Sequence, residues 1–229
     1  MCRIVDGPVV SGSEDGTIRL WDLERCVEVM RLVEGSAVIR ALCPMPDRHL
    51  AATSDDGIVR VWDLSNMREV RRLSIQSTPL RTIIIMPDGR LAIGAGDGTV
   101  RLWDGKDGAP SATFPKHTGQ VRTLCALPGG YVASGGDDQT IRIWDSRTGA
   151  DFASLEGHTQ WVAALTLSEA GHLVSGGDDH TVRVWQLGSN KAVACLELDA
   201  AVTCILVVGR CQLMVGDEMG RLHWLELVE

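Results

Sequence analysis

The sequence predicts an all-β chain built from about six copies of one four-stranded antiparallel unit. Two observations carry this. The stretch Thr17-Ile18-Arg19-Leu20-Trp21-Asp22 returns as residues 58–63, 99–104, 140–145 and 181–186. Trp21, Trp62, Trp103, Trp144 and Trp185 are each 41 residues apart, and a weaker copy, 221–226, places Trp224 39 residues further on. Fixed self-similarity at this period means one supersecondary unit stacked repeatedly. Between these copies, short apolar runs alternate with Gly, Asp and Pro turn signals, the pattern of closely spaced strands.

Taken in order, the period is clearest at residues 117–157. A first strand covers 120–127 and turns at Pro128-Gly129-Gly130 into a second over 131–135. A tight turn at Asp137-Asp138-Gln139 opens the third, 140–145, and a fourth lies around 152–155. Aspartate and glycine suit such turns because they tolerate positive φ and bond locally. Runs such as Thr82-Ile83-Ile84-Ile85-Met86 do not alternate cleanly, as expected of strands covered on both faces. The first period begins late: Val9 to Gly12 aligns with the second strand at Leu50 to Thr53.

The chain resembles the WD-repeat β-propeller family along essentially its whole length. The resemblance implies one domain, 1–229, with blades at 1–34, 35–75, 76–116, 117–157, 158–198 and 199–229. Blade 1 is expected to lack its inner strand and blade 6 its outer one. In the family one segment ahead of the first blade supplies both, so a six-bladed ring would want about 17 more residues there. Three explanations stay open: a fragment or short isoform, an open ring whose strand edges pair with a partner or another copy, or part of a seven-bladed ring. The resemblance also implies buried tetrads, His117, Ser134, Asp138, Trp144 and His158, Ser175, Asp179, Trp185. Other blades depart from the pattern: Gly35 and Ala52, then Gln76 and Ile93, stand at the His and Ser positions, and Met214 and Glu218 at the Ser and Asp positions of blade 6. Blades 4 and 5 are therefore expected to be the most rigid, and blades 2, 3 and 6 to rest on apolar packing.

A net charge of −8 argues against general nucleic-acid binding, which leans on phosphate neutralisation. No apolar run approaches the roughly 18–20 residues of a membrane span, and residues 1–7 lack a signal-peptide core. The expected compartment is the cytoplasm, with the nucleus as alternative. Seven cysteines show neither CxxC spacing nor a disulfide framework, so they read as buried free thiols.

No zinc-protease helix, paired CxxC, phosphate loop or calcium loop is present, so no catalytic residue, metal or cofactor is expected. Ser134, His117 and Asp138 resemble a hydrolase triad, but the set recurs one period later against a tryptophan, which marks a structural role. In the family, partners usually dock where the second-to-third-strand turns and first-strand starts meet. Glu14, Asp55, Asp137, Asp178 and Asp217 precede the tetrad-type positions there, and Arg40, Arg81 and Arg122 recur at 41-residue spacing. Trp161 stands at the same end, outside the repeat register, as a candidate interface anchor. The expectation is a non-catalytic scaffold binding protein partners. The alternative is a sensor module of a NACHT-type signalling ATPase, a fainter resemblance carried by residues 215–225.

Overall fold

In five of the six sheets of this computed structural model, the recurring Trp-bearing stretch is a third strand paired along both edges. The structure describes residues 2–3, 8–33, 35, 37–75, 78–105, 109–209 and 212–227. All sheets are antiparallel with neighbours in chain order, and two units, Met1–Thr113 and Phe114–Glu229, divide the chain.

In the first unit, the first sheet comprises β1 (Cys2–Arg3), β2 (Val9–Gly12), β3 (Thr17–Asp22) and β4 (Val27–Val33). The second comprises β5 (Ile39–Met45), β6 (His49–Ser54), β7 (Ile58–Asp63) and β8 (Arg68–Ser74). The third comprises β9 (Leu80–Ile85), β10 (Leu91–Ala95), β11 (Thr99–Trp103) and β12 (Pro110–Pro115), the last running across the division. In the second unit, the fourth sheet comprises β13 (Val121–Ala126), β14 (Tyr131–Gly136), β15 (Ile141–Asp145) and β16 (Asp151–Leu155). The fifth comprises β17 (Val162–Leu167), β18 (Leu173–Gly177), β19 (Thr181–Gln186) and β20 (Lys191–Glu197), and the sixth β21 (Val202–Gly209), β22 (Gln212–Asp217) and β23 (Leu222–Glu226).

The expected incompleteness appears at both places. Among the described residues, the inner strand of the first sheet is Cys2–Arg3, with Cys2 opposite Val10 and Arg3 opposite Val9, and the sixth sheet has three strands. Each unit has its own cores between adjacent sheets. Ile83, Leu91 and Ile93 pack with Val59 and Val61 in the first unit. Ile141, Ile143 and Leu155 pack with Val162 and Leu173 in the second. Each such side chain contributes about 1.5–3 kcal/mol on burial.

The turn between second and third strands follows one recipe. Its Asp accepts the backbone N–H two residues on, as in Asp15 to Thr17 (2.9 Å) and Asp97 to Thr99 (3.0 Å). The next residue is left-handed: Gly16, Gly57 and Gly98, but Gln139 and His180 in the fourth and fifth sheets.

The sixth sheet departs from the sequence alignment by one residue. Leu225, not Trp224, lies opposite Leu213, the place that Trp185 occupies opposite Leu173. A one-residue slip exchanges the faces of a strand. Trp224 is consequently exposed, while Leu213 and Val215 are buried. The free thiols differ too: Cys43 is buried, but Cys26, Cys195 and Cys204 are exposed. Burial pushes the Cys43 thiol up to about 12 and Cys125 to about 11, which makes both poor nucleophiles. Cys211 lies outside the described residues.

Candidate functional site

Both expected tetrads form hydrogen-bonded chains in the second unit. The Trp144 indole donates to Ser134 Oγ (3.3 Å), Ser134 Oγ meets His117 Nε2 (2.9 Å), and His117 Nδ1 meets Asp138 (2.8 Å). In the fifth sheet Trp185 to Ser175 is 2.8 Å, Ser175 to His158 Nε2 is 2.7 Å, and His158 Nδ1 to Asp179 is 3.0 Å. Burial holds both imidazoles below their ordinary value, against the pull of the aspartates. A neutral ring satisfies every partner: Nδ1–H donates to the carboxylate, and Nε2 accepts the serine hydroxyl, which accepts the indole. Burial works to raise Asp138, but its bonds to His117, Thr140 and Thr118 outweigh that and lower it. As chemistry, this arrangement is closed. Ser134 and Ser175 are 0% exposed, so neither hydroxyl can reach a substrate.

The glycines of the Ser-Gly-Gly-Asp runs make room for the histidines. A Cβ on Gly136 would lie 2.8 Å from the His117 ring, and one on Gly177 2.8 Å from that of His158. Where histidine is missing, a side chain occupies that position: Ser54 in the second sheet, Ala95 in the third and Asp217 in the sixth. Asp217 is therefore not part of an exposed acidic rim. It is buried, and His223 (2.9 Å), the Arg221 N–H (2.9 Å) and Arg221 Nε (2.8 Å) hold its carboxyl well below the ordinary range. Glu218 takes the rim position, its N–H on Ala201 O (2.9 Å), just as Asp178 N–H bonds Trp161 O.

The tetrad-poor sheets are not held by apolar packing alone. Their third-strand arginine folds back onto the turn aspartate: Arg19 to Asp15 (2.6 Å), Arg60 to Asp56 (2.7 Å) and Arg101 to Asp97 (2.6 Å). Gln76, at the histidine position of the third sheet, lies outside the described residues. In the fourth and fifth sheets the aspartate is taken by histidine.

Within each unit, the remaining predicted residues lie at the starts of the first strands or in the facing turns, and those first strands carry a register shift in all five sheets from the second to the sixth. The extra residue in each bulge is re-aimed. In the second to fourth sheets it is Arg40, Arg81 and Arg122. Asp55 accepts Arg40 Nε (2.9 Å) and Arg81 NH1 (3.3 Å) in the first unit. Arg122 Nε bonds Asp137 in the second. Glu14 is exposed in its turn. Trp161 is 43% exposed, and the Arg122 guanidinium lies 3.8 Å from its ring centroid.

This geometry is that of a known repeat. A family model described as WD domain, G-beta repeat matches residues 4–22, 26–63, 68–104, 108–145 and 149–186. The chain belongs to the WD-repeat family. No curated protein matches it. The WD-repeat match stops at residue 186 and lends nothing to the fainter resemblance of residues 215–225. One contact the sequence did not suggest backs a WD-repeat tetrad. Lys116, 7% exposed, donates to Gly149 O (2.7 Å) and pairs with Asp151, with Nζ 5.2 Å from the Trp144 ring. Its partners lie 33 and 35 residues away, so no local pattern marks it.

Proposed function

We propose that this WD-repeat chain is a non-catalytic scaffold that presents its turn-and-bulge rim to protein partners. WD-repeat propellers typically serve as protein-interaction scaffolds, and the Ser–His–Asp sets here are closed against substrate. The observation that carries the reading is Trp161, an exposed aromatic fixed by a stacked guanidinium at a charged rim. Trp and Arg together are the side chains most enriched at interface hot spots. Arg40, Arg81, Arg122, Asp55 and Asp137 pair among themselves, so they shape the rim and set its orientation preference more than they add affinity. Glu14 in the first unit and Asp178 in the second hold the equivalent turn position, each just before a turn aspartate. A cytoplasmic or nuclear setting, where thiols stay reduced, accords with the exposed cysteines.

Crosslinking mass spectrometry on the affinity-purified chain tests this. Partner crosslinks should concentrate on the turns and first-strand starts, and Trp161→Ala should weaken the complexes. Crosslinks confined to the opposite turns, or unchanged affinity in the variant, would remove the reading. Hydrolysis of generic ester substrates that disappears in Ser134→Ala would remove the non-catalytic part.

A further inference from the structure

The repeat carries its own rule for the rim acid. In the second and fourth sheets, the bulged residue of the first strand is an arginine that pairs with the acid preceding the turn aspartate, Arg40 with Asp55 and Arg122 with Asp137. In the fifth sheet the bulged residue is Ala163, between Val162 opposite Gly177 and Ala164 opposite Gly176. Asp178 is thereby left without the guanidinium its position is built to receive.

Among the described residues its carboxylate makes no hydrogen bond and no ion pair within reach. Burial raises its carboxyl; Arg122 opposes that rise, and Glu218, Asp137 and Asp179 reinforce it. Among the described residues, Arg122 is the cation whose charge acts on it, and it is already engaged by Asp137 and by the face of Trp161. Glu218 is in the same position, because its own bulge residue is Thr203, between Val202 opposite Asp217 and Cys204 opposite Gly216. The rim of the second unit thus holds an excess of carboxylate beside an exposed, immobilised indole. Aliphatic stems of basic side chains cover apolar surface while the charged head stays polar-bound, and indoles attract cations.

We propose that Asp178 and Trp161 seat a lysine or arginine side chain of a basic segment of a protein partner, which supplies in trans the cation that Ala163 withholds. The proposal rests on the scaffold reading and names the chemistry of its partner. The stem lies along the exposed part of Trp161, the charge sits on Asp178, and Glu218 holds a second basic residue or the flanking backbone N–H.

The test titrates labelled tetralysine and tetraglutamate peptides against the full chain by fluorescence anisotropy, at about 50 mM salt so that screening is modest. Tetralysine should bind and tetraglutamate should not. Asp178→Asn should weaken tetralysine about tenfold, the size of one lost charge-assisted contact. Ala163→Arg should weaken it to a similar degree by rebuilding the pair in cis, with an unchanged circular dichroism spectrum. Asp145→Asn removes the same charge from a turn between third and fourth strands and should leave binding unaltered. Absence of tetralysine binding overturns the proposal. So does equal weakening by Asp145→Asn, which would mean only the general field of an acidic protein, or competition by millimolar magnesium that Asp178→Asn abolishes, which would mean a metal site. If tetralysine ignores Asp178→Asn and Ala163→Arg while Trp161→Ala still loses crosslinked partners, the scaffold stands and the basic seat falls. If the basic seat holds and no partner is crosslinked at the rim, the scaffold falls.

Discussion

Ser134 and Ser175 each hold one hydroxyl between an indole and an imidazole. Alanine at either position strands two buried polar groups, each at a cost of about 1–3 kcal/mol. Ser134→Ala and Ser175→Ala should therefore lose about 2–6 kcal/mol in urea melts, and Ser11→Ala, which strands only the half-buried Trp21 indole (2.8 Å), should lose less. The turns give a gain in the other direction. Gln139 and His180 adopt φ of 68° and 63°, where the other sheets use glycine. Left-handed backbone costs a non-glycine residue about 1–2 kcal/mol, and glycine returns part of that as entropy. Gln139→Gly and His180→Gly should each stabilise by about 0.5–1 kcal/mol in the same melts. The serines, aspartates and histidines of the tetrads were legible because the resemblance to the WD-repeat family implies them at fixed places in the repeat. Lys116 was not, because its partners come together only when the fourth strand folds back.

The sixth sheet shows how an element can mislead. Tryptophan is the loudest letter of the repeat, so aligning on Trp224 is natural, yet pairing puts Leu225 in that place. Leu213→Ala should cost about 2–5 kcal/mol, as a fully buried leucine does, whereas Trp224→Ala, 56% exposed, should cost well under half of that. The reverse order in thermal melts would restore the sequence register. The glycine before the rim acids Asp137 and Asp178 has the same logic. Gly136→Ala should destabilise by about 1–3 kcal/mol through overpacking against His117, while position 95, already alanine and buried, shows the site accepts a methyl where no histidine stands. The bulge at each first-strand start was invisible in sequence, because one extra residue in a ladder leaves no mark on composition or period. That bulge decides where Arg40, Arg81 and Arg122 point.

Across the chain, the two neutral histidines couple stability to pH. Their folded values lie below the ordinary 6.5, so the unfolded chain takes up protons first as pH falls. Their contribution is complete above about pH 6.5 and declines below it as pH approaches the folded values. The melting temperature should fall between pH 7 and pH 5, and the His117→Asn, His158→Asn double variant should be less stable at pH 7 but flatter over that window. An equal slope in the variant would place the dependence elsewhere.

The sequence by itself determined the all-β class and the unit of about 41 residues, and its resemblance to the WD-repeat family implied the two tetrads and the incomplete first and sixth sheets. These are local or strictly periodic features, and period survives without coordinates. Only the tertiary structure decided which arginine meets which acid, that Asp217 turns inward and Glu218 outward, and that Asp178 is left over. Those outcomes depend on strand register and on bulges, where a shift of a single residue changes the face a side chain occupies.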